Sequence, residues 1–363
     1  MKIEIKKIHE GWDGEKCLVH ARGARGEGMT VVTAQYLNVR GDDLFDGLML
    51  SVASGGGEFS EFVAEPTLAP INSDGLTIVG CDGTPLYHKP TGKILLLGHT
   101  TSYAEGDLRP RGGARSTFYS VFDAESGHFG RMRLLDSLPD IPNAGNGSGQ
   151  SVVLDSGEVL VPVYYLFTEG KYASTVVKCS FDGETLKPIC HGNILKNYDE
   201  RGFCEPSVFF HRGTYYMTIR NDLYGYVATS EDGLNYTEPE LWRWDDGEVL
   251  ANYNTQQHFL TVGGELYLVY TRRGADNDHV FRHRAPLFIS RVEGKRLVRS
   301  SEMAIVPERG ARLGNFGAES YSDGSAAVYA AEWMQPAGCE KYGSANAIYL
   351  SRLIPDGEGK ELK

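Results

Sequence analysis

A module of short apolar strands recurs six times along this 363-residue sequence, and that repetition limits the fold more than any other feature. Each copy runs from a small-polar entry into an apolar strand, a Gly or Asp turn, a second strand and then a third. First strands are expected to begin near Gln35, Pro85, Gln150, Pro206, His258 and Phe316, at spacings of 50 to 65 residues. Second strands are expected at 93–98, 158–164, 214–219, 265–270 and 325–331. Third strands follow at 48–52, 117–122, 175–180, 224–229, 286–291 and 346–351. The first copy shows no clear second strand. A unit this small cannot bury both faces by itself, so copies must stack, and a period near 50 is that of propeller blades. The 44 glycines and 20 tyrosines favour strands and tight turns, and no long helical period interrupts them. The expectation is an all-β chain, a six-bladed β-propeller occupying 1–363 as one domain.

In a propeller the starts of first strands and the ends of second strands converge at one mouth of the central channel. That places Gln35, Asp82, Gln150, Glu205, Gln257 with His258, and Asn315 in one ring. His99, Tyr164, Arg220 to Asp222, Arg272 with Arg273, and Glu332 form a second. Two long Arg-rich connections, 100–115 and 274–284, add Arg115, Asp278, His279 and Arg282. The densest stretch is 252–288, where the Gly263-Gly264 turn makes a hairpin and brings the Gln-Gln-His and Arg-Arg groups side by side. Polar residues this costly to order rarely cluster at strand ends for stability alone.

Charge narrows the partners. The net charge of −12 opposes nucleic-acid binding, which needs a basic face. Between 271 and 312, however, ten Arg or Lys face five Asp or Glu, a cationic pocket suited to a small anionic ligand. No apolar run approaches the length of a membrane span, and MKIEIKKIHE has no signal-peptide core, so no membrane partner and a cytoplasmic address are expected. The six cysteines show no ligand spacing. Asp276-Asn-Asp278 lacks the Gly and distal Glu of a calcium loop, Gly112 and Gly113 precede no helix that would hold a phosphate, and no Ser-His-Asp elbow occurs. Neither a metal nor a cofactor is expected. Residues 356–363 read as a frayed polar tail.

Glu205 at a strand entry and Arg220 at the neighbouring strand exit should face each other. One reading is an ion pair that stitches the channel. The other has Arg220 gripping a substrate carboxylate in a bidentate fork while Glu205 orients a neighbour or moves a proton. His258, with Gln257, is either a general acid or base beside a positioned water, or a buried histidine satisfied by a carboxylate such as Asp222.

The turns after third strands, Ser230-Glu-Asp-Gly-Leu-Asn-Tyr236 most closely, resemble the Asp-box of sialidase-superfamily propellers, a structural hairpin in which residues such as Asp232 bond their own backbone. The order Glu205 then Arg220 in the fourth repeat resembles that of sialidases (neuraminidases), and Arg272 matches the place of another arginine of their triad. Val39-Arg-Gly-Asp-Asp43 resembles where that family holds its acid/base aspartate. Two features depart from the pattern. No FRIP-like motif supplies the first arginine, leaving Arg25 or Arg40 to substitute. Arg312-Leu-Gly-Asn-Phe-Gly-Ala-Glu319 has no tyrosine where the nucleophile would enter, and Tyr321 comes late. The Asn254-Thr-Gln-Gln-His258 and Arg282-His-Arg-Ala-Pro-Leu-Phe288 runs are similar to an atypical bacterial sialidase-like group that includes glycoside hydrolase family 181, where a Gln-His pair is implicated instead.

The resemblance implies an exo-acting glycoside hydrolase releasing a terminal anionic sugar, an α-linked sialic acid, from a sialylated or other acidic glycan. It implies Arg220, Arg272 and Arg312 on the carboxylate, Gln257 and His258 at the water or glycosidic oxygen, and Glu205 and Asp222 as acid/base or orienting partners. Arg273, Asp278, His279, Arg282, Arg115 and Asp82 would complete the substrate site. The alternatives are an exo-glycosidase or lyase for another acidic sugar such as a uronic acid, and a non-catalytic glycan-binding propeller.

Overall fold

The computed structural model describes residues 1–112 and 115–356. Gly113 and the expected polar tail beyond Asp356 lie outside the described residues. Six sheets, antiparallel except where Arg243–Trp244 pairs in parallel with Arg296–Leu297, succeed one another along the chain, and together they form a six-bladed β-propeller. Blade two runs Leu76–His88, Lys93–Ala104 and Thr117–Asp123; blade three runs Val152–Val153, Val159–Thr168, Lys171–Phe181 and Leu186–His191. Blade four is Cys204–His211, Thr214–Arg220, Gly225–Ser230 and Glu240–Leu241, and blade five is built on His258–Val262, Glu265–Tyr270 and Leu287–Glu293.

Blade one differs from the expectation. Its innermost strand is Lys16–Gly26, and Gln35 lies in the second strand, Met29–Asn38, followed by Leu44–Ser54. Lys16–Gly26 reads KCLVHARGARG, with too many basic residues and glycines to signal a core strand. It is nevertheless buried along most of its length, because it lines the channel and its His20 and Arg22 find partners there. Blade six holds Gly317–Ser320, Ala326–Ala331 and Ala347–Ile354, and its outer strand is the N-terminal Lys2–Glu10. Lys2 pairs with Ile354 and Glu10 with Ala347, so the two ends of the ring close in one sheet. This pairing covers what would otherwise be an open edge of unpaired N–H and C=O groups.

The core lies between blades. Leu260, Val269 and Leu287 of blade five pack with Phe316, Val328 and Tyr349 around blade six, and Leu95, Leu97 and Tyr119 of blade two meet Val159, Val161 and Val177 of blade three. Alternation along each strand sends one face to each neighbour, so every blade is a shared wall. At the outer turn of blade four, Asp232 accepts from the backbone N–H of Leu234 and Asn235 at 2.9 and 2.7 Å, and those bonds hold its carboxyl well below the usual range. It serves the backbone there.

Candidate active site

The innermost strands break pattern where they enter the blades. His20, Asp82, Ser148, Glu205 and Asn315, one from each of five blades, have φ of 58°, 57°, 65°, 45° and 65°. Pairing with the second strand slips beside three of them, between Val19 and Arg22, Cys81 and Thr84, and Cys204 and Ser207. Such a bulge re-aims a side chain, and non-glycine residues hold positive φ only where the surroundings enforce it. Four of these residues, His20, Asp82, Glu205 and Asn315, line a cavity of about 380 Å³ at this mouth of the channel.

One wall is cationic. Arg220, Arg284 and Arg312 are 6%, 3% and 5% exposed. Arg220 donates to Glu205 Oε1 at 2.6 Å and Asn254 Oδ1 at 2.7 Å. Arg284 donates to the backbone carbonyl of Asn254, and Arg312 donates to Gln335 Oε1 at 3.0 Å while lying 3.8 Å over the Trp333 ring. Arg282 adds a fourth guanidinium above Phe281. Among the described residues no carboxylate comes within 4.0 Å of Arg282, Arg284 or Arg312. Burial, then the neighbouring Arg220, Arg312 and Arg282, depress the pKa of Arg284, and burial brings Arg312 down to about 10 despite Asp43.

The other wall carries carboxylates and imidazoles. Burial would raise Asp82, yet His20, Arg22 and His99 together hold it well below the usual range. Arg22 Nη2 donates to its Oδ1 at 2.8 Å, and His20 Nδ1 lies 3.1 Å from the same oxygen. Burial lowers His20 to about 4 and, with Arg115 beside it, His99 to about 3, so both are neutral at pH 7. Asn315 stands at the entry of blade six, its amide 2.8 Å from His20 Nε2. No tyrosine lines the cavity among the described residues. Asp43, on the connection between the second and third strands of blade one, sits at the mouth, where walling by protein pushes its pKa up. Glu205 Oε2 is buried with no hydrogen-bond partner among the described residues.

Of the residues expected from the sequence, Glu205, Asp222, Arg220, Arg282, Arg312, Arg115 and Asp82 line this cavity. Arg220 fits both readings of its pair, since it binds Glu205 and still faces the space. Six others lie elsewhere. Gln257 is buried between blades, accepting from Thr218 Oγ1 at 2.6 Å and donating to Thr255 O. His258 sits deeper in the channel, Nδ1 2.8 Å from Ser207 Oγ and Nε2 2.8 Å from Gln256, and burial lowers it to about 3. The histidine's partner is therefore Gln256, one residue earlier than expected, and not Asp222. Arg272 is held by Glu302 in a two-bonded fork at 2.8 and 2.6 Å, away from the cavity. Arg273 lies 3.7 Å over the Tyr253 ring, Asp278 is exposed beside His283, and His279 pairs with Glu308 at 3.0 Å.

The arginine that takes the place expected of Arg272 is Arg284, carried back to the channel by the long blade-five connection, where its carbonyl accepts from Leu313 N. Sequence reasoning also passed over His20, Arg201 and Asn254. The slip from Arg272 to Arg284 reflects a loop path that spacing does not encode. A larger cavity of about 660 Å³ opens at the opposite mouth and takes in Tyr321, which therefore cannot serve the arginine-lined site.

No protein-family model and no curated protein matches the sequence. Solved structures do match the fold. A protein of unknown function from Dyadobacter fermentans superposes with a TM-score of 0.68 at 14% identity over 97% of this chain and 99% of that one. Trypanosoma rangeli sialidase in complex with sialic acid gives 0.66 at 13% identity over 98% of this chain, which spans 59% of that protein. The NanB sialidase of Streptococcus pneumoniae gives 0.65 at 11% identity, covering 96% of this chain and 70% of that one. The chain has the sialidase-like propeller fold.

Proposed function

We propose that this protein is an exo-acting glycoside hydrolase that releases a terminal anionic sugar, an α-linked sialic acid fitting best. The observation that carries the reading is the buried set Arg220, Arg284 and Arg312, two of them without a carboxylate within ion-pair reach among the described residues, around a cavity of about 380 Å³. Planar guanidiniums grip a carboxylate through paired hydrogen bonds, and a space this size takes one sugar ring with its substituents. Sialidase neighbours with sialic acid bound support the same substrate class.

Asp43, its pKa raised at the mouth, donates a proton to the departing glycosidic oxygen. Glu205, oriented by Arg220 and lining the cavity, takes a proton from the attacking water. With Asn315 where a tyrosine would stand, water attacks directly and the anomeric configuration inverts. Asp82 lies 3.1 Å from His20, and His20 bonds the Asn315 amide, so the three form a positioning chain beneath the sugar. Gln257 and His258 have no part in the chemistry.

Hydrolysis of a fluorogenic α-sialoside, beside a panel of uronic-acid glycosides, tests this. Turnover of the sialoside that falls at least a hundredfold in Asp43→Asn and in Glu205→Gln is the expected result. The missing tyrosine also favours a glycan-binding propeller without activity; tight sialoside binding with no turnover on any substrate would establish that reading instead.

A further inference from the structure

The channel has a second mouth, and the larger cavity, about 660 Å³, opens there. It shares no lining residue with the arginine-lined cavity. Its walls are largely apolar, built from Pro85, Leu86, Tyr87, Phe209, Ala318 and Tyr321. Charge collects at the two ends. At the rim Arg25 and Lys89 offset Glu27 and Asp323. Arg25 pairs with Asp323 at 3.6 Å and lies 5.1 Å over the Tyr321 ring.

The floor is polar, and one of its side chains is incompletely bonded. Gln150 donates to the carbonyls of Phe259 and Ala318 at 2.7 and 3.0 Å and accepts from Phe259 N at 2.7 Å. His258 is held on both ring nitrogens by Ser207 and Gln256. Arg22, 1% exposed, donates from Nη2 to Asp82 at 2.8 Å. Its Nε and Nη1 are buried with no hydrogen-bond partner among the described residues. Buried donors in folded proteins are bonded with few exceptions, so a guanidinium left half-bonded at a cavity floor calls for a reason. The carboxylates nearby are engaged: Glu319 accepts from Arg25 N at 2.7 Å, and Asp323 from Ser325 N at 2.9 Å. Burial also pushes Glu319 up to about 7, which weakens its repulsion of an anion.

We propose that this mouth is a second binding site, taking a small carboxylate with a flat apolar body whose anionic head meets Arg22 at the floor. A planar guanidinium is built for a carboxylate, and a cavity of this volume with apolar walls takes an aromatic body of one or two rings. Gln150 and His258 have their bonds made, so the floor offers little to the many hydroxyls of a sugar. The site is independent of the hydrolase reading and stands or falls apart from it.

Calorimetric titration with 2-naphthoate, against the neutral 2-naphthylmethanol, tests the site. Wild type is expected to bind the carboxylate at least about tenfold more tightly than the alcohol. Lys89→Glu, an exposed change at the rim, should weaken the carboxylate about threefold or more, and Arg22→Met about tenfold or more. Arg284→Met, which alters only the other cavity, should leave this binding within about twofold. Arg22→Met also strips Asp82 of its partner; should that variant fail to fold, the contrast between Lys89→Glu and Arg284→Met decides. Binding heat that survives Lys89→Glu and disappears in Arg284→Met places the ligand in the other cavity and overturns the proposal. Equal affinity for acid and alcohol, or no binding at millimolar ligand, overturns it as well.

Discussion

Replacing Arg284 with methionine should make the free protein more stable and the enzyme worse. Arg284 is 3% exposed, has no carboxylate within 4.0 Å among the described residues, and shares its surroundings with Arg220, Arg312 and Arg282. A buried charge without a partner costs several kcal/mol, and methionine fills similar space without it. Against that gain stands the bond to the Asn254 carbonyl, whose loss costs about 1 kcal/mol. Asn254 Oδ1 keeps its 2.7 Å bond from Arg220. A net gain of about 1–3 kcal/mol remains. At ~2.1 cal/mol/K of unfolding entropy per residue, that raises Tm by roughly 1–4 °C for a chain of this length. In the complex the same guanidinium meets the sugar carboxylate, and its removal costs about 2–5 kcal/mol, a fall in kcat/KM of roughly 30- to 5,000-fold. Calorimetry on the free protein and steady-state kinetics on an α-sialoside read the two effects. A variant that melts lower than wild type while keeping its kcat/KM would refute the argument that this arginine is held for an absent anion.

Three further outcomes follow from the same structure. Glu319 is pushed up to about 7 by burial, with one oxygen accepting from Arg25 N at 2.7 Å. Its folded pKa lies above the unfolded value, so its contribution is full below about pH 4.5 and lost as pH rises through 7; the Tm of Glu319→Gln relative to wild type should climb between pH 5 and pH 8. His258→Ala removes a side chain bonded to Ser207 and Gln256 and packed 4.9 Å from Phe316, so thermal unfolding should show a loss of about 2–4 kcal/mol while KM for the sialoside changes less than threefold. Deleting residues 1–10 opens the edge strand Ala347–Ile354, and light scattering should report aggregation well below the wild-type Tm.

The propeller was legible because its evidence is local and repeated. Apolar alternation and Gly turns mark strands within a few residues, and five of six blades follow that reading. Blade one did not, because Lys16–Gly26 owes its burial to partners across the channel. Glu205, Arg220 and Asp222 were found for the same local reason: they stand at strand starts and ends, and the fold brings those points to one mouth; Asp82, expected at a strand start, reaches it from a bulge inside Leu76–His88. Arg312 stands just before blade six, and the chain's path carries it to the same mouth.

What the chain could not disclose on its own is which of several equivalent-looking residues turns inward. Arg272 and Arg284 carry the same charge twelve residues apart, yet Glu302 captures one and the returning loop delivers the other. Gln256 and Gln257 are neighbours in the irregular segment just before His258–Val262, and both are buried, yet Gln256 meets His258 in the channel while Gln257 is held between blades by Thr218. His20, absent from any expectation, reaches the site through a backbone bulge at φ 58° that no residue preference announces. Strand spacing determines the ring of blades; long-range pairing and a few strained residues determine which side chains meet at its centre.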